Sequence, residues 1–330
     1  MDKVNIRKLI KRVLAFAFVS IILISCGSNK DSKTATPVLT VGQGHLAVPG
    51  GNIWYKVTGT GKGIPVVLLH GGPGMSSFYL KPFEDLGNDR QVIRYDQLGG
   101  GKSDMITDTT MFTVDHFVNV LDSIRSYFGI NKWHVFGHSW GTILAIEYYR
   151  AYPNYVASLT FGSAVFDFPA YAKRAKQLLT TLPDSLQQVI EKAETAGNYQ
   201  DPLYQEAMNQ FYGLYLVRHP IQADMDSTWA TYNAGIYIYM QGPSEFTITG
   251  TLKNYNSTSF LSQIKVPALF TVGEFDEVGP ELVKSFADKV PGSHYILFAG
   301  SAHMTPWDAR EENVKAVRDF LNSVDSLRNK

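Results

Sequence analysis

From residue 52 onward, apolar positions follow two alternating rhythms. Asn52–Thr58 (NIWYKVT) alternates with the period of two expected of a half-buried strand and runs into the turn Gly59-Thr60-Gly61. Pro65–Leu69 (PVVLL) is a short continuous apolar run, as expected of a strand covered on both faces, and Gln91–Tyr95 (QVIRY) is the next strand. Between Val114 and Phe128 the period changes. Val114, Phe117, Val120, Leu121, Ile124 and Phe128 share one face of a helix that Thr113 is placed to cap. The alternation then continues: a strand at Trp133–Phe136, a helix from Trp140 to Tyr152 stopped by Pro153, and a strand at Val156–Phe161. Further strands are predicted at Ala268–Val272 and Tyr295–Phe298, and an amphipathic helix at Glu311–Leu327. Strands alternating with helices predict an α/β architecture with a mostly parallel sheet and helices on both faces.

Two stretches break the rhythm. Residues 166–255 are helix-like, rich in Tyr, Phe and Gln, and lack apolar strand runs, so they read as a helical cap inserted between core segments 38–165 and 256–330. Such a cap would sit over the carboxyl ends of the strands, where open α/β sheets bind ligands. At the other extreme, Lys3, Arg7, Lys8, Lys11 and Arg12 precede the uncharged run Val13–Ser25. About a dozen apolar residues is short of the roughly 20 that span a bilayer and suits an export signal. That run ends Leu23-Ile24-Ser25-Cys26-Gly27, which resembles the lipobox of bacterial lipoproteins. The resemblance implies a signal peptide at 1–25, lipidation of Cys26 and attachment to a membrane of the cell envelope. Residues 26–37, polar and small, read as a flexible tether. Gly27 in place of an aspartate after the cysteine favours the periplasmic face of the outer membrane where there are two membranes.

Composition narrows the partners. Thirty basic residues balance thirty acidic ones, and removing the leader leaves the body mildly acidic, so nothing favours nucleic acid. Cys26 is the single cysteine, which excludes an intramolecular disulfide and a multi-cysteine metal site. No metal or organic cofactor is implied.

The chemistry lies at the carboxyl ends of the predicted strands. Gly137-His138-Ser139-Trp140-Gly141 stands between a strand and a helix, the context in which G-x-S-x-G forms a nucleophile elbow. A serine needs a base, and the base needs an acid to orient it. His303 is the only histidine after the last strand, and Glu274, Asp276 and Glu277 compete as the acid on the loop before it. The oxyanion donors would be the Trp140 N–H and one from His70-Gly71-Gly72-Pro73-Gly74, with Gly72 favoured.

These motifs, with Tyr95-Asp96-Gln97, Gly99, Gly101, Ser103, Gly273–Glu277 and Ser301–Trp307, resemble the proline iminopeptidase family of α/β-hydrolase serine peptidases. The run Gly242–Gly250 (GPSEFTITG) is similar to the tricorn-interacting aminopeptidase branch. The resemblance extends from about Asn52 to the C-terminus and implies the α/β-hydrolase fold. It also selects Asp276 as the acid and makes Glu245 and Glu277 the holders of a substrate's free α-ammonium. The implied activity is release of N-terminal residues, proline foremost, from short peptides. The aromatic ring pocket it implies has candidates in Phe211, Tyr212, Tyr215, Tyr232 and Tyr237, whereas His70, His116 and His138 read as structural. Two other readings fit the same sequence: an esterase or amidase indifferent to the N-terminus, and a non-catalytic binding lipoprotein.

Overall fold

The computed structural model describes residues 39–328; the leader, Cys26 and the tether lie outside them. One sheet holds β1 (Gly42–Val48), β2 (Gly51–Thr58), β3 (Gly63–Leu69), β4 (Arg90–Tyr95), β5 (Trp133–His138), β6 (Val156–Gly162), β7 (Ala268–Gly273) and β8 (His294–Phe298). The strand order is β1-β2-β4-β3-β5-β6-β7-β8. β1 and β2 run antiparallel at one edge, and from β4 through β8 all pairings are parallel.

Why the central strands read as unbroken apolar runs is visible in β3. Val67 and Leu69 pack on one side of the sheet, while Val66 and Leu68 pack on the other. The first side is covered by α1 (Val114–Tyr127) and α2 (Trp140–Ala151), with Phe117, Leu121, Ile124, Ile143 and Leu144 fully or almost fully buried. Thr113 Oγ1 accepts the His116 N–H at 3.2 Å, so α1 starts at its expected cap.

Between β6 and β7 the chain forms α3 (Phe168–Leu179), α4 (Asp184–Ala196), α5 (Pro202–Tyr215), α6 (Gln222–Trp229) and α7 (Ala234–Met240). Part of this insertion has its own apolar cluster, built from Leu178, Ile190, Met208, Phe211 and Phe246. After β7 follow α8 (Pro280–Ala287), the single turn α9 (Thr305–Asp308) and α10 (Arg310–Arg328). α10 packs on the second side of the sheet through Val317, Leu321 and Val324.

A polar clamp fixes α10 as well. Asp325 accepts from Arg90 Nη1 at 2.9 Å, approaches His134 Nε2 at 3.1 Å and accepts the Ile64 N–H at 3.3 Å. Arg90 also bonds Asn322 Oδ1, and its side chain is completely buried. The last helix is thereby tied to β3, β4 and β5.

Candidate active site

Ser139 sits where β5 turns sharply into α2. Its backbone has φ 54° and ψ −124°, a region that costs a non-glycine residue about 1–3 kcal/mol. The flanking glycines allow the crossing: a Cβ on Gly137 would lie 2.2 Å from the Gly141 carbonyl oxygen, and one on Gly141 would lie 2.1 Å from that of Leu69. Ser139 N–H bonds the Gly162 carbonyl at 3.0 Å, which fixes the turn to β6.

The three carboxylates after β7 go to three different places. Glu274 is exposed and accepts the Gly300 N–H at 2.9 Å. Asp276 is fully buried and accepts from His303 Nδ1 at 2.8 Å and from the Val278 N–H at 2.9 Å. Glu277, also buried, accepts from the Tyr171 hydroxyl at 3.3 Å. Because an ionised carboxylate only accepts, the proton of a neutral His303 ring stays on Nδ1, and Nε2 keeps the lone pair a general base needs. Burial favours neutral Asp276, but the His303 charge and hydrogen bonds outweigh it and hold this carboxyl below its usual range. Burial likewise opposes the His303 cation, and Asp276, then Glu277 and Glu245, more than offset it, raising the imidazole above its ordinary value.

Ser139, His303, Gly72, Trp140, Glu245 and Glu277 all line one cavity of about 660 Å³. In the loop after β3, the Gly71 N–H is already donated to the Tyr79 hydroxyl at 2.6 Å, which leaves Gly72 as the better-placed candidate donor. Glu245 lies on the segment after α7 and accepts from Tyr212 and Tyr237 hydroxyls, each at 2.8 Å. Burial raises both Glu245 and Glu277, and Glu277 is raised further by the Glu245 charge. Glu277 Oε2 is buried and accepts no hydrogen bond from the described residues. An acidic end of the cavity with an unused acceptor is suited to a cation.

His138 belongs to a proton-ordered chain. Its Nε2 meets the His303 carbonyl oxygen at 2.9 Å, so Nε2 carries the proton. Burial first, then the His303 charge, lowers this imidazole to about 3, so the ring is neutral and Nδ1 accepts. Tyr79 therefore donates its hydroxyl proton to His138 Nδ1, 3.0 Å away, and accepts from Gly71. Ser163, at φ 52°, adds a second donor to the His303 carbonyl at 3.1 Å.

Comparison with known proteins fits this arrangement. Residues 64–309 match the family model for the alpha/beta hydrolase fold. A proline iminopeptidase of Heyndrickxia coagulans is 39% identical over 285 residues, which cover 86% of this chain and 99% of that protein. This chain belongs to the proline iminopeptidase family. A second family member, from Saccharolobus solfataricus, is 35% identical over 88% of this chain and 95% of its own length. The crystal structure of proline iminopeptidase from Mycobacterium smegmatis superposes with a TM-score of 0.80 at 28% identity, covering 87% of this chain and all of that one.

Of the ring-pocket candidates implied by the family resemblance, Tyr212, Tyr232 and Tyr237 line the cavity. Phe211 is completely buried in the insertion's own core, with Tyr215 packed against it. Sequence reasoning passed over Tyr79, Ser163 and Tyr171. Only Ser163 had a local signal, since it directly follows a strand, and positive φ is not visible in residue type. His70 is structural: Nδ1 bonds the Gly71 carbonyl at 2.9 Å, and Nε2 accepts the Gln97 N–H at 2.9 Å.

Proposed function

We propose that this chain is a serine aminopeptidase that releases N-terminal residues, proline foremost, from short peptides. The observation that carries this reading is two buried carboxylates, Glu245 and Glu277, in the same cavity as Ser139 and His303. An exopeptidase must bind a charged terminus, and a charge-assisted hydrogen bond contributes about 1.5–3 kcal/mol. In this mechanism Ser139 Oγ attacks the first carbonyl while His303 Nε2 takes its proton and Asp276 stabilises the imidazolium. The Gly72 and Trp140 N–H groups receive the oxyanion. His303 returns the proton to the departing amine, and water, activated by the same imidazole, releases the acyl group from Ser139. The insertion over the cavity would restrict entry to short chains.

The test uses the full-length protein in mild detergent with arylamides of Pro, Ala, Leu and N-acetyl-Pro. Pro should be cleaved fastest, N-acetyl-Pro at least about 100-fold more slowly, and Ser139→Ala should be inactive. Equal rates on blocked and free substrates would point instead to an esterase or amidase indifferent to the N-terminus.

Cys26, in this reading, carries lipid and holds the enzyme to the cell envelope, at the periplasmic face of the outer membrane where there are two membranes. The basic start, the short apolar run and the sequence Leu23–Gly27 support it. Metabolic labelling with an alkyne analogue of palmitate should mark the protein, and Cys26→Ala should abolish the label and move the protein out of the membrane fraction. Label retained in that variant would refute the assignment.

A further inference from the structure

Apart from the His303 imidazole, the charged groups of the cavity are acidic. Its carboxylates are Glu245 and Glu277, and among the described residues no lysine or arginine lines it. Elsewhere the lining has an apolar arm formed by Leu216, Val217, Met225, Trp229, Met304 and Trp307. Val217, Met304 and Trp307, with Leu216 and Met225 against them, belong to the packing cluster beside α10, separate from the cluster that contains Phe246, the neighbour of Glu245.

This arm is built on the backbone of the candidate base. His303 N–H bonds the Tyr215 carbonyl at 3.2 Å, and Met304 N–H bonds that of Leu216 at 2.7 Å. The segment ending α5 therefore runs alongside the His303 loop. α6 adds Met225 and Trp229, four residues apart and so on one helical face.

We propose that the apolar arm is the subsite for the released group, and that it selects an apolar, uncharged amine. In peptide terms this is an apolar second residue whose carboxyl is amidated or continued in the chain, taken in preference to a free dipeptide. The inference rests on the aminopeptidase reading, which assigns the ammonium to the acidic end. The imidazole that deprotonates Ser139 must later protonate the leaving nitrogen, so the leaving group lies on the His303 side, where this arm begins. A dipeptide brings its carboxylate within a few bonds of that nitrogen, into a cavity that already holds two carboxylates and offers no lysine or arginine. Burying a charge without a partner is unfavourable, whereas an apolar side chain gains by leaving water.

The experiment compares kcat/KM of the full-length protein on Pro-Leu-NH2, Pro-Leu, Pro-Asp-NH2, Pro-Gly-NH2 and N-acetyl-Pro-Leu-NH2, with released proline measured directly. Pro-Leu-NH2 should exceed both Pro-Leu and Pro-Asp-NH2 by at least about tenfold, and exceed Pro-Gly-NH2 by a smaller factor. Met225→Lys should shrink the amide-to-acid ratio by supplying the missing cation. Trp229→Lys, at a position 43% exposed, should do the same in a smaller degree if the first variant fails to fold. Equal rates on Pro-Leu-NH2, Pro-Leu and Pro-Asp-NH2, or a ratio that neither lysine moves, would overturn the subsite while leaving the aminopeptidase intact. Cleavage of the acetylated peptide at the rate of the free one would overturn the reading beneath it instead.

Discussion

His303 has Asp276 hydrogen-bonded to its ring, and Glu277 and Glu245 add negative charge nearby. Negative charge favours the imidazolium, so the acid limb of kcat/KM should lie above the pH expected of an unperturbed histidine. Glu277→Gln removes one of these charges, lowers the His303 pKa and should shift that limb to lower pH. The pH profile of kcat/KM on Pro-arylamide measures it, and a shift in the opposite direction would contradict the electrostatics. The residue scale is also where sequence reasoning was weakest. Ser139 and His303 stand out by motif and by order, but Glu274, Asp276 and Glu277 crowd into four positions of one loop. Only the path of that loop separates a partner of His303 from an exposed cap of Gly300 and a cavity carboxylate.

Elements were more legible, because burial on both faces leaves continuous apolar runs and one-sided burial leaves a helical stripe. The predicted helix over 114–128 is observed at Val114–Tyr127, and the strand at Gln91–Tyr95 is observed at Arg90–Tyr95. β1 gave no comparable signal: Gly42 and Gly44 weaken its propensity, and as an edge strand it keeps much of its surface in water. α8 is eight residues long, too short for its period to show. Nor does amphipathic periodicity reveal the clamp on α10. Asp325→Ala would leave the Arg90 guanidinium buried without its carboxylate, at a cost of roughly 3–5 kcal/mol. Urea denaturation should report an unfolding free energy lower by that amount, and a loss below about 1 kcal/mol would assign the helix's attachment to its apolar face alone.

Across the whole molecule, the cavity joins residues from the sheet's loops and from the insertion, and Glu277 and Glu245 come one from each. Both carboxyls have raised pKa values, burial being the main cause. A group whose pKa is higher folded than unfolded binds its proton more tightly in the native state, so stability falls as pH rises from the unfolded carboxyl value through the folded one. Glu245→Gln should flatten that decline and raise the melting temperature at neutral pH, while reducing selectivity for free over blocked N-termini. Melting curves across this range, with rates on blocked and free substrates, test both halves. A variant that melts lower at neutral pH would show that Glu245 is compensated in the free protein. The sequence conveyed the one-cavity arrangement only through family resemblance, since residues 245 and 277 have no periodic relation.

The chain from Gly71 through Tyr79 and His138 to the His303 carbonyl has one further consequence. Every link has a single proton and a fixed sense, beginning at an amide that can only give and ending at a carbonyl that can only take. Such a series cannot reverse at one member without breaking at another. The loop that carries Gly71 and Gly72 and the loop that carries His303, more than 200 residues apart along the polypeptide, are therefore surveyed from a common datum. A displacement of either is transmitted to the other, so the candidate oxyanion donor Gly72 and the candidate base His303 keep their mutual alignment.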